Sequence, residues 1–276
     1  MKHAFIQANG LHFHYAEAGS GPLVLLLHGF PEFWYGWRRQ IPALAQAGFR
    51  VVAPDLRGYN RTDRPRKIAQ YALPLLVADV IALVGALGEN RAAVIGHDWG
   101  GVIGWYAAMQ CPSTIERLGI LNAPHPAAYE RELRTLSSQW LRSAYALFFQ
   151  VPVLPEALFR TADFALLRKV LAAGPACTAR EIERYVEGFS PPGALTGPLN
   201  YYRAALRFPR PHCERIRIPT LVLWGDRDPY LRHTLATALD EWVDDVRVQR
   251  FAHADHWLHH READRVNRAL IEFLRA

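Results

Sequence analysis

The segment Val94-Ile-Gly-His-Asp-Trp-Gly-Gly101 holds a single carboxylate, Asp98, between Gly96 and Gly100. A short apolar run enters it and a helical pattern leaves it, so the chain must turn from strand to helix at Asp98. Two glycines allow a turn so tight that its central residue is held in a strained backbone conformation and its side chain stands clear at the strand's end. The free amides of the following helix favour an anion there. A carboxylate so placed can serve as a nucleophile, as serine does in the usual form of this elbow. An ordinary helix cap would use the same aspartate, so the rest of the chain has to decide.

An elbow nucleophile should be followed by an acid after a late strand, and then by a histidine. The strand-like Thr220–Trp224 ends in Gly225-Asp226-Arg227-Asp228-Pro229, and the strand ending at Phe251 leads into Ala252-His253-Ala254-Asp255-His256-Trp257. The order is right, but each partner has a neighbour of the same type. Spacing does not choose between Asp226 and Asp228, or between His253 and His256.

The elements that must position these residues alternate. A hairpin is expected from Ala4–Gln7, an Asn9-Gly10 turn and Leu11–Ala18. Strands follow at Leu23–Leu27, Phe49–Ala53, Ala92–Gly96 and Leu118–Leu121, with helices at Tyr35–Ala47, Leu73–Leu87 and Gly100–Gln110. The strands are short and continuously apolar, as buried parallel strands are. Near Pro124 the rhythm stops, and a helical stretch rich in proline and aromatics runs to about Pro211. It resumes with strands Thr220–Trp224 and Val246–Phe251 and helices Leu231–Ala238 and Arg261–Leu274. The pattern predicts an α/β core with a mainly parallel sheet, built from residues 1–123 and 212–276 and interrupted by a helical insertion over 124–211.

Composition narrows the class of protein. The chain has 276 residues, 50% hydrophobic and 21% charged, enough for a core that needs no disulfide or metal staple. Its formal charge of +6 comes almost wholly from arginines scattered among acids, which speaks against a nucleic-acid footprint. The three cysteines, Cys111, Cys177 and Cys213, share no redox or zinc spacing, and no leader or membrane-length apolar run precedes the core. The expectation is a soluble, cytoplasmic protein, monomer or homodimer.

Five segments resemble those of soluble-type epoxide hydrolases of the α/β-hydrolase superfamily. They are His28-Gly-Phe-Pro-Glu32, Asp55-Leu-Arg-Gly-Tyr59, Gly96-His-Asp-Trp-Gly-Gly101, Asn122-Ala-Pro-His-Pro126 and Asp255-His256-Trp257. The resemblance spans nearly the whole chain and implies an α/β-hydrolase fold whose insertion is a lid. It implies Asp228 as the acid and His256 as the base, leaving Asp226 and His253 peripheral. It implies backbone amides of Phe30 and Trp99 as the oxyanion donors, and a cis bond between Phe30 and Pro31. Tyr145 in Tyr145-Ala-Leu-Phe-Phe-Gln150 and Tyr202 in Gly197-Pro-Leu-Asn-Tyr-Tyr-Arg203 resemble the family's two lid tyrosines. Asn60-Arg61-Thr62 departs from the family's Gly-x-Ser, although asparagine tolerates a left-handed backbone.

The chemistry so implied is the opening of an epoxide by an already ionised carboxylate, then hydrolysis of the resulting ester by water activated by His256 and Asp228. The tyrosines would protonate the ring oxygen. Detoxification of an apolar aryl or alkyl epoxide fits the aromatic content, with Trp34, Phe149 and Trp257 expected at the substrate, and Trp105, Trp140, Phe148 and Phe189 as further candidates. Partners are the epoxide and water, with no nucleic acid, membrane or cofactor. The cluster His253, His256, His259 and His260 lacks a matching carboxylate pattern, so no metal is expected. Asn122 and His125 read as scaffolding before the lid, and Asp55 and Arg57 as loop pins. The nearest rivals are haloalkane and haloacid dehalogenases with the same aspartate, histidine and acid. The former usually carry asparagine where this chain has Phe30, and fluoroacetate enzymes carry arginine where it has Trp99. A non-catalytic binding protein on this fold is the rival from another class.

Overall fold

The computed structural model describes residues 1–135, 137–175 and 177–276. Eight strands form one sheet: β1 (Lys2–Ala8), β2 (Leu11–Ala18), β3 (Leu23–Leu27), β4 (Arg50–Pro54), β5 (Ala92–His97), β6 (Ile115–Leu121), β7 (Thr220–Gly225) and β8 (Val246–Phe251). Their order is β1-β2-β4-β3-β5-β6-β7-β8. The first hairpin pairs antiparallel and lies antiparallel against β4, while β4 through β8 run parallel. Every residue of β3, β5 and β7 is buried, because helices cover both faces of the parallel part. The chain passes from β3 to β4 on one side and returns to β5 on the other. Strand order therefore reverses between β3 and β5, where an open α/β sheet leaves a crevice at its carboxyl edge.

Helices α1 (Gln40–Gln46), α2 (Leu73–Ala86) and α3 (Trp99–Gln110) connect the first strands. Between β6 and β7 come α4 (Pro126–Arg134), α5 (Gln139–Ser143), α6 (Tyr145–Phe148), α7 (Leu154–Ala173), α8 (Ala179–Phe189) and α9 (Thr196–Arg207). Within α7 the backbone leaves helical geometry at Thr161–Phe164. The chain closes with α10 (Leu258–Arg261) and α11 (Ala263–Arg275).

The last expected helix, Arg261–Leu274, is found as α11 with its ends moved by two residues or fewer, preceded by the short α10. Two expected helices differ. The first begins as a 3-10 turn at Trp34–Trp37 and becomes α-helical only at Gln40. The helix expected over Leu231–Ala238 is instead a pair of 3-10 turns, His233–Ala236 and Leu239–Glu241, separated by Ala238 in the left-handed region. Contacts outside the segment override its helical pattern. Tyr230 and Leu231 donate their amides to Asp228 Oδ1, Arg232 donates its amide to Gln139 Oε1, and the Arg232 and Thr234 side chains hold Glu132.

Asn60 takes the expected left-handed turn, with φ 42. Its side chain donates to Asp55 Oδ2 and the Thr62 hydroxyl to the Asp55 backbone carbonyl, while Asp55 Oδ1 accepts the Trp34 amide at 3.1 Å. Arg57 reaches farther than a loop pin would, forming a bidentate pair with Asp79 on α2.

Candidate active site

Strand β5 ends at His97 and α3 begins at Trp99, so Asp98 carries the whole reversal, with φ 50 and ψ −120. Such a conformation in a non-glycine residue costs roughly 1–3 kcal/mol and persists only when its surroundings enforce it. They do so by close packing. A Cβ on Gly96 would meet the Gly100 carbonyl, and one on Gly100 would fall on the Leu27 and His28 carbonyls. Gly100→Ala is therefore expected to lower stability by at least about 3 kcal/mol, since backbone on both sides leaves no room to relax. Urea unfolding would check this, and a wild-type midpoint would contradict the packing described here.

The loop after β3 lies against the elbow because β3 and β5 are neighbours. Gly29 comes so close that a Cβ there would overlap the Asp98 side chain. The Phe30 amide donates to Asp98 Oδ1 at 2.9 Å, and the Phe30-Pro31 peptide is cis. His28 steadies this loop by donating from Nδ1 to the Gly29 carbonyl and accepting the Leu56 amide on Nε2. The Trp99 amide begins α3, where helix geometry provides no internal acceptor.

The second oxygen of Asp98 faces His256, with Oδ2 3.6 Å from Nε2. On the other edge of that ring, Nδ1 donates to Asp228 Oδ2 at 2.7 Å. Asp228 is buried and fully bonded. Its Oδ1 takes the Tyr230 and Leu231 amides, and its Oδ2 takes Asn122 Nδ2 as well as His256. The local rivals lie elsewhere. Asp226 pairs with Arg250, and His253 meets Arg227, both at the surface.

Electrostatics divide the labour between these groups. Burial disfavours the His256 cation, but the Asp228 carboxylate, aided by Asp98, reverses this and pushes its pKa up to about 10. Burial likewise disfavours the Asp98 anion, yet His256, His97 and the Phe30 amide bring its pKa below the ordinary carboxylate range. The resting site thus holds an imidazolium between two carboxylates. Because the folded pKa lies above the ordinary histidine value, this arrangement stabilises the protein fully below about pH 6.5. That contribution is lost as pH rises through about 10. The melting temperature is expected to fall across this window in the wild type, with a shallower fall in His256→Gln. Parallel pH profiles would contradict the ion triad.

Tyr145 on α6 and Tyr202 on α9 stand over the elbow, with ring centroids 5.9 Å apart. Burial, together with the Asp98 charge and, for Tyr202, the neighbouring Tyr145, raises both phenols well above their usual pKa, so both keep their protons. Tyr201 turns the other way and donates to the Arg57 carbonyl. Asp98, Tyr145 and Tyr202 line two cavities at once, one of about 250 Å³ and one of about 280 Å³. Phe30, Phe148, Phe149 and Trp257 wall the first, and Trp99 and Trp140 the second.

Trp34, expected at the substrate, borders neither cavity. The bond from its amide to Asp55 turns the residue toward β1, where its ring packs on His3 at 4.6 Å. Trp105 donates into the core to the Ala123 carbonyl, and Phe189 backs Phe30 edge-on without reaching a cavity. His125 caps α4 and stacks on Trp242.

Two features escaped the sequence reading. Asn122, read as loop scaffolding, grips the same Asp228 oxygen as His256 and also holds Gly225. Its place at the carboxyl end of β6, beside β7, was the available signal. Glu32 forms a buried cluster behind His256. Its Oε1 accepts Tyr185 and His260 at 2.9 and 2.7 Å, and its Oε2 lies 3.2 Å from His259 and 3.5 Å from His97. Burial opposes the Glu32 anion, but His260 and His259 hold its pKa well below normal. Burial in turn lowers the pKa of both histidines. His97 extends the cluster by donating to the His256 carbonyl at 2.9 Å. Glu32, His97 and His259 bring their nitrogen and oxygen atoms within 4.8 Å of one another, a metal-like grouping, but the carboxylate is already engaged by these donors.

Residues 22–263 match the family described as the alpha/beta hydrolase fold. The AB hydrolase superfamily protein YfhM of Bacillus subtilis is 39% identical over 283 residues, covering 100% of this chain and 98% of that protein. Human Epoxide hydrolase 4 is 38% identical over 282 residues, covering 98% of this chain and 77% of that protein. Among solved structures, the Bacillus megaterium epoxide hydrolase bound to an inhibitor superposes with a TM-score of 0.91 at 33% identity, over 99% of this chain and 100% of that one.

Proposed function

The chain belongs to the epoxide hydrolases of the α/β-hydrolase family, and we propose that it converts an apolar epoxide to a vicinal diol through a covalent ester on Asp98. The observation that carries this reading is the shared lining of the cavities. One ionised carboxylate and two protonated phenols face the same space.

Asp98 Oδ1 is held by the Phe30 amide, so Oδ2 is the oxygen free to attack a ring carbon. As that bond forms and the carbon–oxygen bond of the ring breaks, charge moves to the ring oxygen, and Tyr145 and Tyr202 supply its proton. Ester formation removes the Asp98 charge. One of the two carboxylates that stabilise the His256 cation is then gone, which favours return of its proton to the tyrosinate left by ring opening and leaves a neutral base. His256, oriented by Asp228, takes a proton from a water that attacks the Asp98 carbonyl carbon. The oxyanion develops on Oδ1, against the Phe30 and Trp99 amides. Collapse releases the diol and restores the carboxylate. In this account residues 124–211 act as the lid that brings both tyrosines over the nucleophile, and no metal or cofactor takes part.

Apart from Asp98 and its partner His256, the first cavity is walled by tyrosines and by aromatic and aliphatic side chains, with no lysine or arginine among the described residues that line it, which favours aryl or alkyl epoxides. Trp257 and Phe149 serve as substrate contacts in this account. A panel of styrene oxide, an aliphatic epoxide, a bromoalkane and fluoroacetate tests the reading. Diol from the first two without halide release is expected. Faster release of bromide or fluoride would transfer the site to the dehalogenases.

A further inference from the structure

Eight of the twelve large apolar side chains exposed on the described surface lie on the helical insertion. Leu141, Leu147, Val153, Leu154 and Leu206 are exposed by 82, 58, 73, 54 and 61%. The two stretches that carry them are tied together, because Arg203 donates to the Phe149 and Val151 carbonyls and Arg207 to that of Gln150. Both cavities reach this face. Leu158 borders the first, and Leu147, Leu206 and Arg210 border the second. A patch this concentrated, on the element that covers the nucleophile, marks a contact surface.

Its charge selects the occupant. Residues 139–160 and 204–212 contain Arg160, Arg207 and Arg210, together with Arg142, whose guanidinium turns inward to the Asp228 carbonyl, against a single acid, Glu156. Glu156 is already paired with Arg203, and among the described residues none of the four arginines has a carboxylate within 4.0 Å. A second copy of the chain, meeting this face with its own, would set arginine against arginine with no acid between them. An anionic bilayer offers what the face lacks: acyl chains for the leucines and phosphates for the guanidinium groups.

We propose that the insertion docks on an anionic lipid surface, with both cavity mouths turned toward the membrane, so that an apolar substrate passes from the bilayer to Asp98 without crossing water. The docking itself does not rest on the hydrolase reading, since it is measured without turnover. Sedimentation of the full chain with vesicles is the test. Binding is expected to mixed phosphatidylcholine–phosphatidylglycerol vesicles. It should weaken about tenfold or more on pure phosphatidylcholine, and again at high salt. The double variant Leu141→Glu/Leu154→Glu, altered at two exposed positions that border neither cavity, should lose about tenfold in partitioning. Its melting temperature and its turnover of a water-soluble epoxide should be unchanged. If that variant does not fold, Arg207→Gln should by itself reduce the preference for anionic vesicles, and an unchanged preference would overturn the proposal. Failure of the wild type to bind either vesicle would also overturn it. So would a dimer in solution that Leu141→Glu dissociates, because a second copy would then cover the face.

Discussion

His256→Gln is expected to open one epoxide per molecule and then stop, its mass raised by that of the substrate. The two half-reactions ask different things of His256. Attack needs only the Asp98 carboxylate, which the Phe30 amide still orients at 2.9 Å. Without the imidazolium, burial raises the Asp98 pKa, while the Phe30 amide still favours the anion. Hydrolysis of the ester, in contrast, needs a base beside the carbonyl carbon, and glutamine is none. Steady-state turnover should fall by at least about 10³-fold, while the ring-opening burst changes far less. Intact-mass measurement and peptide mapping decide the matter. A stoichiometric adduct on the peptide containing Asp98 is the expected outcome. An unmodified peptide after exposure to substrate would mean that His256 acts earlier or that Asp98 is not the nucleophile.

The tyrosines should give the opposite pattern. Tyr145→Phe and Tyr202→Phe keep the rings that pack on Phe149, Tyr230 and Trp99 and remove only the hydroxyls. Each single change should slow ring opening about 10- to 100-fold, because the other phenol still donates. The double change should slow it by about 10³-fold or more. No ester should accumulate, since the first step becomes limiting. Rapid-quench measurement of alkylation separates this from a defect in hydrolysis. Ring opening at the wild-type rate in the double variant would remove both residues from their assigned role. Single-variant losses equal to that of the pair would mean instead that they act as one unit.

The parts of this arrangement that could be read from the chain alone are those set by local constraints. Strands β3 and β5 are written as unbroken apolar runs because both faces of each are covered. The elbow is written in Gly96 and Gly100 because only glycine fits against the carbonyls there. Asp228 and His256 were distinguishable from Asp226 and His253 only by motif. The physical distinction is the burial of one pair and the exposure of the other, which neighbouring positions in a loop do not encode. Trp34 misled because aromatic type says nothing about which way a loop residue faces. The segment from Leu231 to Ala238 misled because the groups that bind its backbone, Gln139 and Asp228, lie outside its own periodicity. The Glu32 cluster joins residues more than 220 positions apart, and no local pattern announces it.

That cluster also bears on how the site keeps its charge in order. Glu32, its carboxyl held well below the normal range, lies behind His256 and is separated from it by His97. Burial lowers the pKa of His259 and His260, while Asp228 and Asp98 raise that of His256, so the cation is favoured at His256 over those two neighbours.

Everything above turns on Asp98 forming a bond to the substrate, and one measurement reaches that claim directly. A single turnover of an epoxide in water enriched in heavy oxygen, with enzyme in excess, would be followed by mass analysis of both the diol and the Asp98 peptide. The account predicts an unlabelled diol, its new oxygen taken from the carboxylate, and one heavy oxygen on Asp98. Heavy oxygen in the first diol, with Asp98 unlabelled, would mean that water attacks the ring itself and would contradict the covalent route.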